Sequence, residues 1–132
     1  MPSQAHSDYR ILVVDDNEDA ADSLATLLEV LGYRVKVAYD GPEAIAAADA
    51  FEPHAALLDI GLPHLSGYDI ARHLRASHVA KALLVAITGW GQEDDRRRAR
   101  EAGFDSHFTK PADFEQLAEL LHRELPQRFA AS

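Results

Sequence analysis

Ile11-Leu12-Val13-Val14-Asp15-Asp16-Asn17 is the stretch that decides the architecture. Its first four residues are apolar on both faces and mostly β-branched, the pattern of a strand buried at the centre of a parallel sheet. Two carboxylates and an amide end the run. Behind them Ala20, Leu24, Leu27, Leu28 and Leu31 recur at helical spacing, and Gly32 is placed to close that helix with a left-handed cap.

Working outward, the same alternation repeats. Arg34-Val35-Lys36-Val37 alternates charged and apolar as an edge strand does, and its lysine discourages edge-to-edge pairing. Gly41-Pro42 opens a second helix with proline in the first turn, and Ala44, Ile45, Ala47, Ala48 and Phe51 fall on or near its buried side. Ala55-Ala56-Leu57-Leu58 is a third strand ending at Asp59. A loop, Ile60 to Gly67, leads to a helix carrying Ile70, Ala71 and Leu74. Leu83 to Ile87 is a fourth strand, ending at Thr88-Gly89. Gln92 to Ala102 is helical by propensity, offers a core little beyond Ala99 and Ala102, and stops at Gly103. A short fifth strand around His107-Phe108-Thr109 ends at Lys110-Pro111. Asp113 with Gln116 then forms a capping box for a last helix whose Phe114, Leu117, Ala118 and Leu121 face inward and which ends near Leu125.

This strict alternation predicts an α/β fold: a five-stranded parallel sheet, order 2-1-3-4-5, with helices on both faces. The edge-type run at 34–37 takes the outside, and the runs at 11–14 and 55–58 take the centre. At 132 residues the chain suits one domain, read as 9–126 between an N-terminal tail, 1–8, and a C-terminal tail, 127–132. It carries 13 Lys+Arg against 22 Asp+Glu, a net charge of −9, which argues against non-specific nucleic-acid binding. No apolar run approaches the roughly 20 residues that cross a bilayer, so no membrane partner is expected. With no cysteine there is neither disulfide nor thiolate metal site, which fits a cytoplasmic location. His6, His54, His64, His73, His78, His107 and His122 share no ligand spacing.

The residues just past the strands carry the chemistry. Asp15 and Asp16 come after the first, Asp59 after the third, Thr88 after the fourth and Lys110 after the fifth, and in a parallel sheet these ends share one edge, where ligands bind. Asp15-Asp16-Asn17 alone reads equally well as a helix cap. With the other residues present, three acids against one lysine leave a deficit of positive charge that a hard divalent cation, Mg²⁺ or Mn²⁺, would complete. A carboxylate beside a metal, a hydroxyl and an ammonium is an equipped phosphoryl acceptor.

Four motifs in this order resemble the receiver domain of two-component response regulators: Val-Val-Asp-Asp-Asn at 13–17, Leu-Leu-Asp-Ile-Gly-Leu-Pro-His-Leu-Ser-Gly at 57–67, Thr-Gly at 88–89 and Thr-Lys-Pro at 109–111. The resemblance covers roughly residues 9–125 and implies the flavodoxin-like receiver fold. It implies Asp59 as the phosphoacceptor, Mg²⁺ held by Asp16, Asp59 and the Gly61 carbonyl with help from Asp15, Thr88 as switch hydroxyl, Lys110 as phosphate-binding lysine, and a cis bond before Pro111. His107 stands where the family carries its switch aromatic. The family's two positions that tune phosphoryl lifetime hold Gly61, which leaves water access open, and Trp90, which can cover it. The implied partners are a histidine kinase or histidine phosphotransfer protein as donor and a downstream protein that docks on the fourth helix, fifth strand and last helix. Such a chain catalyses only its own phosphorylation and dephosphorylation.

The chain stops soon after its last helix, so no output domain is expected. It either acts alone or comes from a longer chain, and Thr-Gly-Trp-Gly-Gln at 88–92 and the stretch Arg96 to Asp105 look like receivers of hybrid histidine kinases. Three other readings stay open. A flavin carrier of this topology needs a hydroxyl- and Gly-rich cradle where Asp15-Asp16 stands. An aspartyl phosphatase usually spaces its first two acids two apart. A receiver-like interaction module would take no phosphate at all.

Overall fold

Runs that are apolar on both faces have nowhere to go but the middle of a covered sheet, and three of them do so. The computed structural model describes residues 9–62, 65–89 and 93–129, with backbone alone at 93–95. His6, His64, Trp90, residues 1–8 and residues 130–132 lie outside them. Strands β1 (Arg10–Val14), β2 (Arg34–Ala38), β3 (Ala55–Asp59), β4 (Leu83–Thr88) and β5 (Ser106–Thr109) alternate with helices α1 (Glu18–Val30), α2 (Gly41–Phe51), α3 (Gly67–Arg75), α4 (Glu93–Ala102) and α5 (Phe114–Arg128). All strand pairings are parallel, in the order β2-β1-β3-β4-β5. This is the predicted architecture.

Side-chain alternation along the strands divides the core in two. Ile11, Val13, Leu57, Val85 and Ile87 pack with Ala21 and Leu28 of α1 and Leu117, Leu121 and Leu125 of α5. Leu12, Val14, Leu58, Leu84 and Ala86 face the small residues of α2, then Ile70 and Leu74 of α3 and Ala99 and Ala102 of α4. Among the described side chains of α4 the buried ones are Ala99 and Ala102, the thin anchoring expected of it. Gly32 and Gly103 close α1 and α4 at φ 101° and 108°, in the left-handed region where glycine carries no Cβ penalty.

Two details of the helices differ from the sequence expectation, the covering of Leu27 and the place of the capping box. Leu27 is 46% exposed, because α1 turns Ala21, Ala25 and Leu28 inward and leaves Leu27 at the open side. Helix α2 does open at Gly41 with Pro42 in its first turn, and Asp40 caps it, its carboxylate accepting from Glu43 N–H. Asp113 does cap α5, accepting from both Glu115 and Gln116 N–H. The reciprocal capping box is instead at α3, between Ser66 and Asp69.

Helix α5 also runs past Leu125 and past the expected boundary at 126, with Pro126 inside its last turn. Proline there forfeits one intrahelical bond. What holds the extension is Arg128, whose guanidinium donates to the Lys81 carbonyl at 2.6 Å and to Asp105 at 3.1 Å.

Asp105, just before β5, joins three other elements. Its carboxylate accepts from Arg75 at the end of α3, from Arg128 of α5 and from the Leu84 N–H of β4. Arg75 in turn donates to the Gly103, Ala80 and Ala82 carbonyls. Asp105→Ala leaves two half-buried guanidiniums facing each other and should cost about 2–3 kcal/mol. Urea melts should show this as a lower midpoint at unchanged slope; a loss below about 0.5 kcal/mol would mean the network is solvated ornament.

Candidate functional site

Parallel pairing sets the level of each residue at the carboxyl edge. Val14 pairs with Leu58 and Asp59 with Ile87, while Thr88 pairs with Thr109, so the residues after β1, β3 and β5 meet at one height. Lys110 Nζ lies 3.2 Å from Asp59 Oδ2 and 3.4 Å from Asp15 Oδ2. The other Asp59 oxygen accepts the Gly61 N–H at 3.0 Å, so both oxygens of this buried carboxylate are held.

Asp15 has two duties. Its Oδ1 accepts the Asn17 N–H at 3.0 Å, shaping the turn into α1, while Oδ2 faces Lys110. The helix cap itself is Asn17, which accepts from Ala20 N–H. The motif thus supplies both a helix cap, at Asn17, and an acid beside Lys110, at Asp15. Asp16 caps nothing in α1; it is exposed, and one of its oxygens lies with oxygens of Asp15 and Asp59 inside a 4.8 Å group.

Burial raises the Asp15 pKa above the usual carboxylate value, and the neighbouring Asp59 charge adds to this; the Asn17 N–H and Lys110 offset only part of it. Burial alone would lower Lys110, but the charges of Asp59 and Asp15 outweigh it and its pKa is raised. Three acids around one ammonium remain short of positive charge. The donors are all oxygen and one side is open through exposed Asp16, which suits Mg²⁺ or Mn²⁺ and not a nitrogen- or sulfur-loving ion.

Thr88 and His107 stand on the other side of the pleat. Asp59 alternates with Leu58 as Thr88 does with Ile87, and His107 pairs with Ala86 of the α4-side core. Thr88 is buried at 3% exposure, and its carbonyl accepts the Lys110 N–H at 2.7 Å. The structure thus joins Asp15, Asp16, Asp59 and Lys110 through side chains, holds Gly61 to them by its N–H, ties Thr88 in through its backbone, and sets His107 apart near α4. The Lys110–Pro111 bond is cis.

Sequence reasoning gave no role to Gly67. A Cβ there would lie 2.8 Å from the Asp59 carbonyl oxygen and from Ile60 Cα. Only glycine lets α3 begin against the end of β3, directly behind the acidic residue. The available signal was the glycine itself, placed after Ser66 in a helix start that needs none for capping. Beside the cluster runs a groove of about 510 Å³, lined on one wall by Leu24 and Leu27 and on the other by Pro111, Phe114 and Leu117, with Asp15 and Lys110 at its end.

The chain belongs to the response regulator receiver domain family, whose profile matches residues 11–122. The response regulator MprA of Mycobacterium bovis (strain BCG / Pasteur 1173P2) is 35% identical over 127 residues, covering 93% of this chain and 55% of that protein. The chain thus spans about half the length of the curated relatives it matches. A CheY-like response regulator receiver domain protein from Methanospirillum hungatei JF-1 superposes at TM-score 0.85 and 28% identity, over 91% of this chain and 95% of that one. The receiver domain of sensor histidine kinase PA1611 from Pseudomonas aeruginosa PAO1, crystallised with a magnesium ion coordinated in its active site cleft, gives TM-score 0.80 at 31% identity, over 89% of this chain and 97% of that one.

Crowded like charges should be measurable without any ligand. Asp16→Asn removes one of them at an exposed position and should stabilise the metal-free protein by on the order of 1 kcal/mol at low ionic strength. The gain should shrink as sodium chloride is added. Urea melts at two salt concentrations check both halves.

Proposed function

We propose that this chain is the phosphoacceptor of a two-component phosphorelay, with Asp59 as the residue that takes the phosphoryl group. The observation that carries the reading is the triple contact at the carboxyl edge: Lys110 between Asp59 and Asp15, with Asp16 completing the acidic group. A carboxylate oxygen of Asp59 attacks the phosphorus of a phosphohistidine. The P–N bond breaks, the P–O bond of an aspartyl phosphate forms, and the imidazole leaves with a proton. Water later attacks the phosphorus, releases inorganic phosphate and returns the carboxylate. The chain acts on itself alone and turns over no external substrate.

Lys110 exchanges its pairing with Asp59 for a phosphoryl oxygen, and the side chain of Thr88, which starts on the α4 side of the pleat, turns to donate its hydroxyl to another. Asp15, Asp16, Asp59 and the Gly61 carbonyl would hold Mg²⁺, with Mn²⁺ as substitute. When bound, the ion neutralises charge on the phosphoryl oxygens. The magnesium named for the similar kinase receiver supports this assignment. Thr88 and His107, on the α4 side, are the residues through which the added charge would alter the surface of α4, β5 and α5 for a downstream protein.

A donor histidine must come within bonding distance of Asp59 on a folded protein. The apolar groove between α1 and α5 ends at Asp15 and Lys110, so it is the surface against which a histidine kinase or histidine phosphotransfer protein packs. In this reading the chain works in the cytoplasm, where ATP-fed kinases are charged.

Intact mass after acetyl phosphate and Mg²⁺ should show one added phosphoryl group, absent in Asp59→Asn and formed at least about tenfold more slowly in Lys110→Ala. No adduct from acetyl phosphate, phosphoramidate or a phosphohistidine protein would leave the receiver-like interaction module as the answer. Leu27→Glu tests the groove. It should slow transfer from a phosphohistidine protein about tenfold or more while leaving the acetyl phosphate rate unchanged; equal slowing of both would assign Leu27 to the fold.

A further inference from the structure

The edge of the sheet opposite the charge cluster is closed by an imidazole. His54 stands just before β3, at the other end of that strand from Asp59, and takes both backbone groups of Arg10 at the start of β1. Its N–H donates to the Arg10 carbonyl at 2.8 Å, while its side-chain Nδ1 accepts the Arg10 N–H at 2.9 Å. Its own carbonyl accepts the Leu83 N–H of β4 at 2.9 Å. The half-buried ring meets Tyr9 edge to face, with centroids 5.3 Å apart, and meets Phe129 the same way at 4.7 Å. Phe129 closes α5, its N–H bonded to the Leu125 carbonyl, and Lys81 Nζ lies 5.4 Å from the centre of its ring.

An imidazole nitrogen accepts a hydrogen bond only while it carries no proton. The Arg10 N–H therefore selects the neutral ring with its hydrogen on Nε2, and the second proton of the cation has to go to Nδ1, where that N–H already points. Among the described residues, the titratable and charged groups around the ring come from four elements. They are Tyr9 and Arg10 at the start of β1, Glu52 after α2, His78 and Lys81 before β4, and Arg128 at the end of α5. Arg10 Nε donates to the Phe51 and Glu52 carbonyls, Arg128 to the Lys81 carbonyl, and Glu52 Oε2 lies 3.5 Å from His78 Nε2. Whatever the balance of these charges, a proton and an incoming N–H cannot share Nδ1.

We propose that His54 is a proton-operated latch on this edge of the sheet: the neutral ring holds the start of β1 and seats Phe129, and the protonated ring releases both. The proton comes from solvent, and the cation turns outward to be hydrated, which a half-buried position allows. The Arg10 N–H then passes to water. Phe129 loses the edge it packs on, so the last turn of α5, which already contains Pro126, keeps Arg128 as its tie to the segment before β4. Histidine is the side chain whose ordinary titration falls between about pH 5 and 8, so the latch is closed at the alkaline end of that range and opens toward the acid end. The exposed His78–Glu52 pair responds with the opposite sign, because a protonated His78 is drawn more strongly to the carboxylate.

The latch does not depend on phosphoryl transfer, so it is tested on the unphosphorylated full chain, and its failure would leave the role of Asp59 untouched. Long-range nitrogen–proton correlations on labelled protein at pH 7.5 should show His54 Nδ1 without a proton and Nε2 with one. Between pH 7.5 and 5.0 the Arg10 amide should lose about fivefold of its protection from solvent exchange, after correction for the intrinsic pH dependence of exchange. The ring signals of Phe129 should move with the same midpoint as the His54 nitrogens. His54→Asn puts a carboxamide oxygen in the place of Nδ1 and takes up no proton, so its Arg10 amide should stay protected at both pH values. His78→Asn should respond as the unaltered chain does. Four results would overturn the proposal. They are a proton on His54 Nδ1 at pH 7.5, equal Arg10 protection at both pH values, an acid loss that survives in His54→Asn, and one that disappears in His78→Asn. The first two need no variant.

Discussion

One ammonium group held between two carboxylates organises this molecule. Lys110 reaches Asp59 and Asp15 from strands that are not neighbours in sequence, and the three residues meet because β1, β3, β4 and β5 run parallel and end at one height. The arrangement is costly where it stands. Three acids with one lysine repel, and burial raises the Asp15 pKa further. Such a cluster persists only because the surroundings over-determine it. The Gly61 N–H fixes one Asp59 oxygen, the Asn17 N–H fixes one of Asp15, and Gly67 lets α3 begin against the Asp59 carbonyl.

That support is a packing matter before it is an electrostatic one. The central strands are buried on both faces, so the positions of Asp15 and Asp59 are set by two separate hydrophobic layers. On the α2–α4 side the layer is rich in alanine, which lets those helices approach closely. On the α1–α5 side it is leucine and valine. The charge cluster thus sits on rigid strand ends, while the described side chains of α4 reach the core at Ala99 and Ala102.

Strand order, helix count and the residues of the charge cluster were legible because they depend on short-range patterns: two-sided apolar runs, helical periodicity and the residue after each strand. What was illegible depends on long-range partners. Leu27 carries the same helical signal as Leu28, and only the placement of α5 decides which is covered. Pro126 reads as a stop, and the helix continues because Arg128 finds Asp105 and the Lys81 carbonyl. Arg75 and Asp105 look like two surface charges until the end of α3 meets the turn that leads into β5. Gly67 is the intermediate case, visible as a glycine but explicable only by what a Cβ would strike.

The sheet also separates two surfaces that a switch would need to connect. Asp15, Asp59 and Lys110 meet at the carboxyl edge beside the α1–α5 groove, whereas His107 and the Arg96–Arg100 pocket lie on the α4 side. Strand β5 is common to both: His107 and Ser106 line the pocket, and Lys110 comes three residues after His107. Its pairing to β4 ties Thr88 to Thr109, and the Lys110 N–H is bonded to the Thr88 carbonyl. Strand β5 therefore ends at the lysine of the charge cluster, while Ser106 and His107 form a wall of the pocket beside Arg96 and Arg100. The strand is short and partly exposed along its length, and the residue just before it, Asp105, is bonded to the Leu84 N–H of β4.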